Sequence, residues 1–376
     1  MINIEYEMIP LRNLLSEYTE RNGDSNYASV AVGRYGIRRR EDIYSKALTK
    51  DFTKYKVIYN NTLTVGMGSN QIDIGVLSED ETYCVSPAYH TFKIDNVNSK
   101  YLEYCLKSKN DEMFKKYSKR GSRQGKTIDF ARWLDYKVPI CNENNQQKIV
   151  YNLRKIDDLI ELSKSIINRF DELIKSQFVE MFKGKNTPDY TKKIDELCSE
   201  MMIGPFGSAL HKDEISTSGD VFVLGTDNAV ENFFSKKEIR YIDNNKYQQL
   251  KKYTVKPDDI IISMMGTIGR TAVIPNDLEP AIISSHLCCL TPDKSKIYPD
   301  FLQKEFVLDD EVSYQIHSNK KGAIMSGLNL GIIKNITIHY PDLNKQKEFL
   351  NIVKQIDKQK FVVMKILSFV SKIRYL

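Results

Sequence analysis

Two long segments of the chain carry apolar residues at alternating steps of four and three, which is the spacing of a coiled-coil helix. They span residues 144–182 and 344–376, and the polar Ser163 and Gln177 interrupt the first. The Gly and Pro residues that follow position 183 predict the end of the first helix. We predict that the two helices pair through Ile149, Leu153, Ile156, Ile160, Ile167, Phe170, Phe349, Val353, Ile356, Val363, Leu367 and Val370.

The remaining sequence has short apolar runs separated by Gly, Asn and Asp, a pattern that predicts strand-rich domains with few helices. One helix is predicted near the end of each domain, at residues 100–116 and 300–308. The run IISSHLCCL predicts one buried strand, in which Ser285 and His286 form a satisfied core pair. The predicted fold class is α+β, and the predicted domain bounds are 1–143 for the first strand-rich domain, 144–183 for the first helix, 184–343 for the second strand-rich domain and 344–376 for the second helix.

The chain repeats itself in weakened form when the numbering advances by about 200. The matching pairs include Leu102 with Leu302, Gln146 with Gln346, Ile156 with Ile356 and Asp157 with Asp357. One structural plan is therefore used twice. A duplicated unit with divergent surfaces presents two similar platforms to two different but related targets.

The two predicted helices suit each other as partners, because each has an apolar stripe too extensive to face water. Each helix follows its own domain, so a pseudo-twofold pairing runs the helices antiparallel and places the two domains at opposite ends. At roughly 1.5 Å per residue they form a rod of about 50–58 Å, whereas one turn of DNA measures roughly 34–36 Å. Such a rod holds two reading domains about one turn apart. The alternative is that the helices only oligomerise the protein.

Composition narrows the class of protein. With 376 residues, of which 41% are hydrophobic, the chain is long enough for two or three cores. Its six cysteines show no CxxC and no Cys/His ligand spacing, so we predict reduced, buried thiols and no metal site. The first residues do not read as a secretion signal and no apolar stretch is long enough for a membrane span, which predicts a cytoplasmic protein.

Basic residues form clusters, although the net charge is only +6. Residues 115–126 contain six basic residues and no acidic one, and residues 34–40 contain four arginines. Such clusters, interleaved with aromatic and amide side chains, fit contact with phosphates and base edges; a solvated face is the alternative. The candidate DNA-binding residues are Tyr35, Arg38, Arg39, Arg40, Ser69, Asn70, Gln71, Lys115, Lys116, Lys119, Arg120, Arg123, His211, Lys212, Asp227, Asn228, Arg270, Lys320 and Lys321.

These candidates divide by chemistry. The arginines of residues 38–40 suit bidentate contacts to guanine or phosphate, and the polar residues 69–71 lie in a Gly-rich turn that suits adenine. The lysines and arginines of residues 115–123 suit phosphates, as do Lys320 and Lys321, which hold the same place in the second domain. The glycines Gly66, Gly68, Gly266 and Gly269 are predicted to serve tight turns that need positive φ.

Motifs for catalysis are not evident in the sequence. A DNA adenine methyltransferase needs an Asp/Asn-Pro-Pro-aromatic motif, of which residues 86–89 (SPAY) hold only a partial echo. The chain has no GxxxxGK[ST] nucleotide-binding loop. Pro257-Asp258 and Pro341-Asp342 leave a divergent nuclease centre open as an alternative, but a Glu-x-Lys partner is not evident. We predict that catalysis is supplied by a partner.

Several segments of this chain, taken together, closely resemble the specificity subunit of type I restriction-modification systems. The order of domain, helix, domain and helix is similar, and the resemblance covers essentially the whole chain. The local matches are GPFGSAL at 204–210, VLGTD at 223–227 leading to Arg240-Tyr241-Ile242, DDIIISMMGTIGR at 258–270, Gly121-Ser122 and Gly322-Ala323 before the helices, and FDELIKSQFVEMF at 170–182.

The resemblance implies a non-catalytic subunit with two target recognition domains, each reading one half of a split, asymmetric DNA sequence. It implies that the helices form an antiparallel spacer and dock two methyltransferase subunits and, through them, the translocating nuclease subunits. No cofactor is expected on this chain, since S-adenosylmethionine would be bound by the methyltransferase. The alternative functions are a divergent DNA-modifying or DNA-cleaving enzyme that acts alone, and a coiled-coil interaction module without DNA.

Overall fold

The computed structural model describes residues 4–33, 36–44, 51–121, 125–184, 191–206, 209–318 and 327–373. The chain forms two compact units. Unit 1 comprises Met1–Leu162 and Ile366–Leu376, and unit 2 comprises Ser163–Lys365. The division falls inside both long helices, and the predicted domain bounds stay a prediction. Among the described residues, no helix combines the length and apolar character that a membrane crossing requires.

Unit 1 is built mainly from two four-stranded sheets, with strand orders β2-β9-β6-β7 and β4-β3-β8-β5, and two small ribbons, β1-β12 and β10-β11. The bounds of its strands are β1 Glu7–Pro10, β2 Leu15–Tyr18, β3 Ser29–Gly33, β4 Gly36–Arg39, β5 Lys56–Ile58, β6 Thr62–Met67, β7 Ile72–Leu77, β8 Tyr83–Val85, β9 His90–Ile94, β10 Ser118–Arg120, β11 Lys126–Ile128 and β12 Lys137–Ile140. Its helices are α1 Ser99–Ser108, α2 Asn110–Tyr117, α3 Phe130–Trp133 and the first part of α4, Glu143–Phe182.

Unit 2 contains the same plan. Its sheets have the orders β14-β20-β17-β18 and β16-β15-β19, with the ribbon β13-β21. The bounds of its strands are β13 Thr191–Lys193, β14 Cys198–Ile203, β15 Val221–Leu224, β16 Tyr241–Ile242, β17 Ile260–Ser263, β18 Thr271–Val273, β19 Ala281–Ile283, β20 Leu287–Pro292 and β21 Thr337–His339. Its helices are α5 Ile194–Leu197, α6 Asn244–Leu250, α7 Pro299–Leu308, α8 Asp310–Ser318, α9 Leu330–Asn335 and most of α10, Leu343–Ile373.

The topology confirms the internal repeat. The order β2-β9-β6-β7 of unit 1 corresponds strand by strand to β14-β20-β17-β18 of unit 2. Each unit also has a parallel pair, β3 with β8 and β15 with β19, within an otherwise antiparallel arrangement. The fold class is the predicted α+β, with strand-rich parts joined to long helices.

The repeated glutamines hold the start of each long helix in place by side-chain hydrogen bonds. The side chain of Gln146 accepts a hydrogen bond from the backbone N–H of Asn98 (2.9 Å) and donates one to the carbonyl of Cys141 (2.7 Å). Gln346 makes the same two bonds, from the N–H of Tyr298 (3.0 Å) and to the carbonyl of Pro341 (2.8 Å). Both glutamines are buried, so the amide satisfies main-chain groups that water cannot reach.

The two long helices run antiparallel where both belong to unit 2. Phe349, near the start of α10, stacks edge-on against Phe178 and Phe182 at the end of α4, with ring centroids 5.7 and 5.5 Å apart. Further along α10, Lys360 forms an ion pair with Asp171, which lies earlier on α4. Positions that advance along one helix therefore meet positions that recede along the other.

The predicted pairing residues occupy two kinds of environment. Phe349, Val353 and Ile356 join the core of unit 2 together with the last turns of α4. Ile149 and Leu153 instead pack in unit 1 beside a cluster that includes tyrosines of α1. The remaining predicted positions are buried or half-buried: Ile156, Ile160, Ile167, Phe170, Val363, Leu367 and Val370.

Three local predictions are wrong in part. The helix predicted at 100–116 is two helices, α1 and α2, because the chain changes direction at Lys109. The run IISSHLCCL forms two strands, β19 and β20, joined by a turn in which His286 is exposed. His286 is therefore not a core residue; the apolar residues on both sides of the turn made one strand the simpler prediction.

The glycine prediction is half right. Gly266 and Gly269 have positive φ, 73° and 81°, as turns that favour glycine require. Gly66 and Gly68 do not; they allow close packing instead, since a Cβ at Gly66 would lie 2.4 Å from the ring of Tyr89.

Candidate nucleic-acid interface

A basic hairpin follows α2 in unit 1. Strands β10 and β11 pair antiparallel, and Arg120 lies directly opposite Lys126. Lys119 forms an ion pair with Asp129 (3.4 Å), and Lys119 and Arg120 are exposed, as are Lys115 and Lys116 on α2. Like charges placed opposite each other destabilise a hairpin, so this arrangement is suited to a polyanion that bridges them.

The predicted polar turn lies beside the same helix. Residues 68–71 connect β6 and β7, and the tip residues Ser69 and Asn70 are exposed. The side chain of Asn110, at the start of α2, bonds both the N–H and the carbonyl of Ile72 (2.9 and 2.8 Å). The amide of Gln71 donates to Asp73 (3.2 Å), so its position is set within the turn. The structure thus connects the polar turn to the start of α2, the helix whose last turn carries Lys115 and Lys116.

The arginines of β4 are placed at another part of unit 1. Arg39 forms an ion pair with Glu81 (3.3 Å) and lies over the ring of Tyr83 (5.7 Å from its centroid), both of which follow β7. The polar turn precedes β7. Arg40 lies over the ring of Tyr44, 4.8 Å from its centroid, and Arg38 is exposed on β4. Arg39 is therefore linked to the segment after β7, whereas the polar turn lies before this strand.

Loops from four parts of the sequence meet in unit 2. The turn at residues 284–287 lies at the centre: the N–H of Ser284 donates to Leu224 (2.9 Å), and the carbonyls of His286 and Leu287 accept from Met264 (2.9 Å) and Gly204 (3.1 Å). A Cβ at Gly204 would lie 2.0 Å from the carbonyl oxygen of Ser284, so only glycine permits this approach. The segments beginning GPFGSAL, ending VLG and containing MMGTIG thereby form one edge.

Three exposed side chains at this edge lie outside the sequence-predicted contacts. Phe206 is 77% exposed and Met265 is 44% exposed, and His286 is also exposed. Arg270, which was predicted, is exposed at the start of β18, and its N–H donates to the hydroxyl of Ser263 (2.9 Å). The available signal in the sequence for Phe206 and Met265 was an apolar residue placed within a glycine-rich loop.

Asp227 and Asn228 have structural contacts. Asn228 is fully buried, and its amide donates to the carbonyl of Ser235 (2.7 Å) and accepts from the N–H of Gly225 (2.8 Å). Asp227 forms an ion pair with Arg240, whose guanidinium also bonds the carbonyl of Val223 (3.3 Å). These bonds explain the joint occurrence of VLGTD and RYI, and in this conformation Asn228 is withdrawn from bases.

The other predicted contacts of unit 2 lie in a separate loop. His211 and Lys212 are exposed, and the N–H of His211 donates to Glu214 (2.7 Å), which also binds Lys246 (2.7 Å). Tyr35, Arg123, Lys320 and Lys321 lie outside the described residues.

The structure thus combines two strand-rich units, long helices, an exposed basic hairpin and exposed glycine-rich loops. The sequence matches the family described as Type I restriction modification DNA specificity domain over residues 12–171 and again over 191–365. The chain belongs to this family, and it carries the family's domain twice.

Two curated relatives of the chain are also named as type I restriction enzyme specificity subunits. The chain is 26% identical over 174 residues to a provisionally named type I restriction enzyme specificity subunit of Haemophilus influenzae, which covers 43% of this chain and 40% of that protein. It is 26% identical over 118 residues to the EcoBI specificity subunit of Escherichia coli, covering 31% and 24%. The matched regions thus span less than half the length of these curated relatives.

Solved structures show the same fold over the whole chain. The S subunit of a type I restriction-modification system from M. genitalium superposes with a TM-score of 0.55 at 16% identity, covering 100% of this chain and 95% of that one. A chain from a study of complex assembly and conformational transition of the type I R-M system gives a TM-score of 0.60 at 14% identity, covering 100% and 97%.

Proposed function

We propose that this chain is the DNA-specificity subunit of a type I restriction-modification complex. Each unit reads one half of a bipartite, asymmetric sequence in double-stranded DNA, and the long helices set the spacing between halves. The observation that carries the proposal is a repeated frame with unlike surfaces. Gln146 and Gln346 keep the same bonds, whereas the exposed loops of the two units differ in sequence and shape.

The DNA-contacting residues we propose are narrower than the full set of sequence candidates. In unit 1 they are the basic hairpin with α2 and the adjoining polar turn, because these surfaces are connected and exposed. In unit 2 they are the converging loops with Arg270, Phe206 and His286. Arginine and lysine supply phosphate contacts, and side chains on loops that approach closely suit the grooves.

The chain supplies recognition and assembly, and partner subunits supply the chemistry. Two methyltransferase subunits bind S-adenosylmethionine and transfer the methyl group, and the translocating nuclease subunits join through them. A stripe of exposed apolar residues on α10 supports docking: Val362, Ile366, Phe369 and Ile373 recur at steps of four and three. An exposed stripe of this kind needs a partner surface. The complex acts on DNA in the cytoplasm.

A binding and activity experiment tests this function. Methylome sequencing of a host that carries the chain identifies the target, and a duplex with that target is titrated with the purified chain at several salt concentrations. We expect salt-sensitive binding and no methyl transfer until the modification subunit is added. Arg120→Gln should weaken binding to specific and unrelated duplexes alike and reduce the salt slope by about 1.

The matched control is Lys137→Gln, since Lys137 is exposed on β12, outside the basic hairpin. Its affinity should stay at the wild-type value. Methyl transfer or cleavage by the lone chain would favour a self-contained enzyme. Absence of DNA affinity, both for the chain alone and for its complex, would favour an interaction module.

A further inference from the structure

Three ionisable side chains meet inside unit 2. Glu305 lies in α7, Asp309 directly follows α7, and His339 ends β21. One nitrogen or oxygen atom from each lies within 4.8 Å of the other two. Glu305 and Asp309 are buried and His339 is half-buried. The cluster belongs neither to the basic hairpin nor to the converging loops.

Glu305 is the unusual member. Its side chain has no solvent exposure, and neither carboxylate oxygen has a well-formed hydrogen bond to the described residues. Burial raises the pKa of Glu305 well above its ordinary value, and the nearby carboxylate of Asp309 raises it further. The backbone N–H of His339 and the charge of Lys183 act in the opposite direction, and they do not outweigh burial. A buried carboxylate with so little compensation favours a further positive charge or a bound proton.

Asp309 is held differently. One oxygen accepts hydrogen bonds from the ammonium of Lys183 (2.5 Å) and the N–H of Glu311 (2.8 Å), and the other lies 3.2 Å from Nδ1 of His339. Burial opposes ionisation, but the bonds from His339 and Lys183 prevail and lower the pKa of Asp309 to about 2. The Asp309 carboxylate lies close to the Glu305 carboxyl group, with one oxygen of each within 4.8 Å of the other.

Lys183 lies beside the cluster and is shared by two other carboxylates. It bonds Asp309 (2.5 Å) and pairs with the exposed Glu311 (3.3 Å). It makes no hydrogen bond to Glu305.

The donor set selects the type of cation. One imidazole nitrogen with two carboxylates is a combination that Zn²⁺ and similar transition metals accept, at bond lengths of about 2.0–2.2 Å. Mg²⁺ and Ca²⁺ prefer oxygen ligands only. Ligand atoms within 4.8 Å of one another need a small inward shift to reach such bonds.

The repeat offers an internal comparison. At the 200-residue offset, unit 1 has Cys105, Lys109 and Pro139 where unit 2 has the three clustered residues. Unit 1 forms the corresponding helix and ribbon without any of the three side chains. The shared fold therefore does not require the cluster, and an explanation specific to unit 2 is needed.

We propose that Glu305, Asp309 and His339 bind one divalent transition-metal cation of the Zn²⁺ type. The cation neutralises the unpaired Glu305 carboxylate and joins the C-terminal end of α7 to β21. Since β21 leads into α10 through residues 340–342, the metal stabilises the part of unit 2 from which this long helix starts.

Zinc titration of the full chain tests the proposal. The EDTA-treated protein and its Glu305→Gln and His339→Gln variants are titrated with Zn²⁺ in a calorimeter. We expect the wild-type chain to bind one equivalent that each variant loses or binds at least tenfold more weakly. Saturating Zn²⁺ should raise the Tm of the wild-type chain by about 5 °C or more and leave both variants nearly unchanged.

The control is His317→Gln, which removes an exposed histidine of α8 in the same unit and should retain the equivalent. Equal zinc binding by the wild-type chain and both variants, or no binding by the wild-type chain, would overturn the proposal and leave a protonated Glu305 as the explanation. If the variants do not fold, anomalous diffraction at the zinc edge from wild-type crystals decides. A peak among the three side chains supports the site, and its absence there refutes it.

Discussion

At the scale of single residues, the two units solve the burial of a carboxylate in different ways. Glu103 of α1 is almost fully buried, and its two oxygens bind the ammonium groups of Lys100 (2.7 Å) and Lys107 (2.6 Å). Burial opposes its ionisation, but Lys107 and Lys100 outweigh burial and lower the pKa of Glu103. Glu305, two residues beyond the corresponding position of α7, has no ammonium group hydrogen-bonded to its oxygens among the described residues.

The Glu103 ion pairs predict a pH-dependent stability. Because the folded-state pKa lies below the ordinary 4.5, the stabilisation is fully present above pH 4.5 and is lost as the pH falls through the lowered pKa. Glu103→Gln should therefore destabilise the protein by about 1–3 kcal/mol at pH 7, and the difference should narrow below pH 4.5. Chemical denaturation at pH 7 and at a pH below 4.5 measures the difference in the free energy of unfolding. The exposed Glu112→Gln is the control; a loss that does not change with pH would contradict the assignment.

At the scale of elements, α10 carries two apolar surfaces. The inner surface packs in unit 2 through Phe349, Val353 and Ile356. The second stripe includes Val362, Ile366 and Phe369, with exposed fractions of 56, 48 and 65%. An exposed apolar stripe of this kind is a candidate surface for a protein partner.

Substitution within the second stripe should separate assembly from folding. The double change Ile366→Ser and Phe369→Ser should weaken binding of the modification subunit at least tenfold, because exposed apolar anchors contribute much of the energy of an interface. The unfolding midpoint of the lone chain should change little. Calorimetric titration with the modification subunit measures the affinity.

The control is Tyr314→Ser, since Tyr314 is 73% exposed on α8, away from the long helices in sequence. It should bind the modification subunit as the wild-type chain does. Equal affinities for the stripe variant and this control would show that α10 docks its partner elsewhere.

At the scale of the whole molecule, the two units share an internal architecture, here called the frame, but differ in their exposed loops. Both units share the strand order of one four-stranded sheet and the hydrogen bonds of Gln146 and Gln346. The loops that carry exposed basic and apolar side chains differ between the units. Under the proposed function, such a design allows one half of the recognised sequence to change without the other. Mutations in the frame should then affect stability, and mutations in the loops should affect recognition.

Domain exchange tests this independence. Replacing residues 1–143 by the same region of another family member should change one half of the methylated target and leave the other half intact. Methylome sequencing of the host measures both halves at once. A target that changes in both halves, or in neither, would contradict separate reading by the two units.

Much of the fold was predictable because it depends on regular spacing. Steps of four and three predicted α4 and α10 to within a few residues, and the 200-residue offset predicted the repeated topology. Single apolar runs were less informative. IISSHLCCL contains a turn because Ser284, His286 and Leu287 bond main-chain groups of three distant loops, and such bonds have no local signal in sequence.

The candidate site was predictable only in part. Clustered charge marked the basic hairpin, since consecutive residues stay together in any fold. The sequence did not show that Arg39 would form an ion pair with Glu81. Nor did it show that Asn228 would be buried and hydrogen-bonded to Arg240 and Ser235. Exposure depends on which segments pack over a residue, and those segments are distant in the chain.

The sequence by itself determined the family, the α+β class, the doubled plan and the long helices, because periodicity and motif order are properties of neighbouring residues. Only the tertiary structure decided which polar groups face solvent and which are hydrogen-bonded inside the protein. It also brought His339 to Glu305 and Asp309, although about 30 residues separate them along the chain. That meeting depends on the packing of a helix against a strand, which no local pattern encodes.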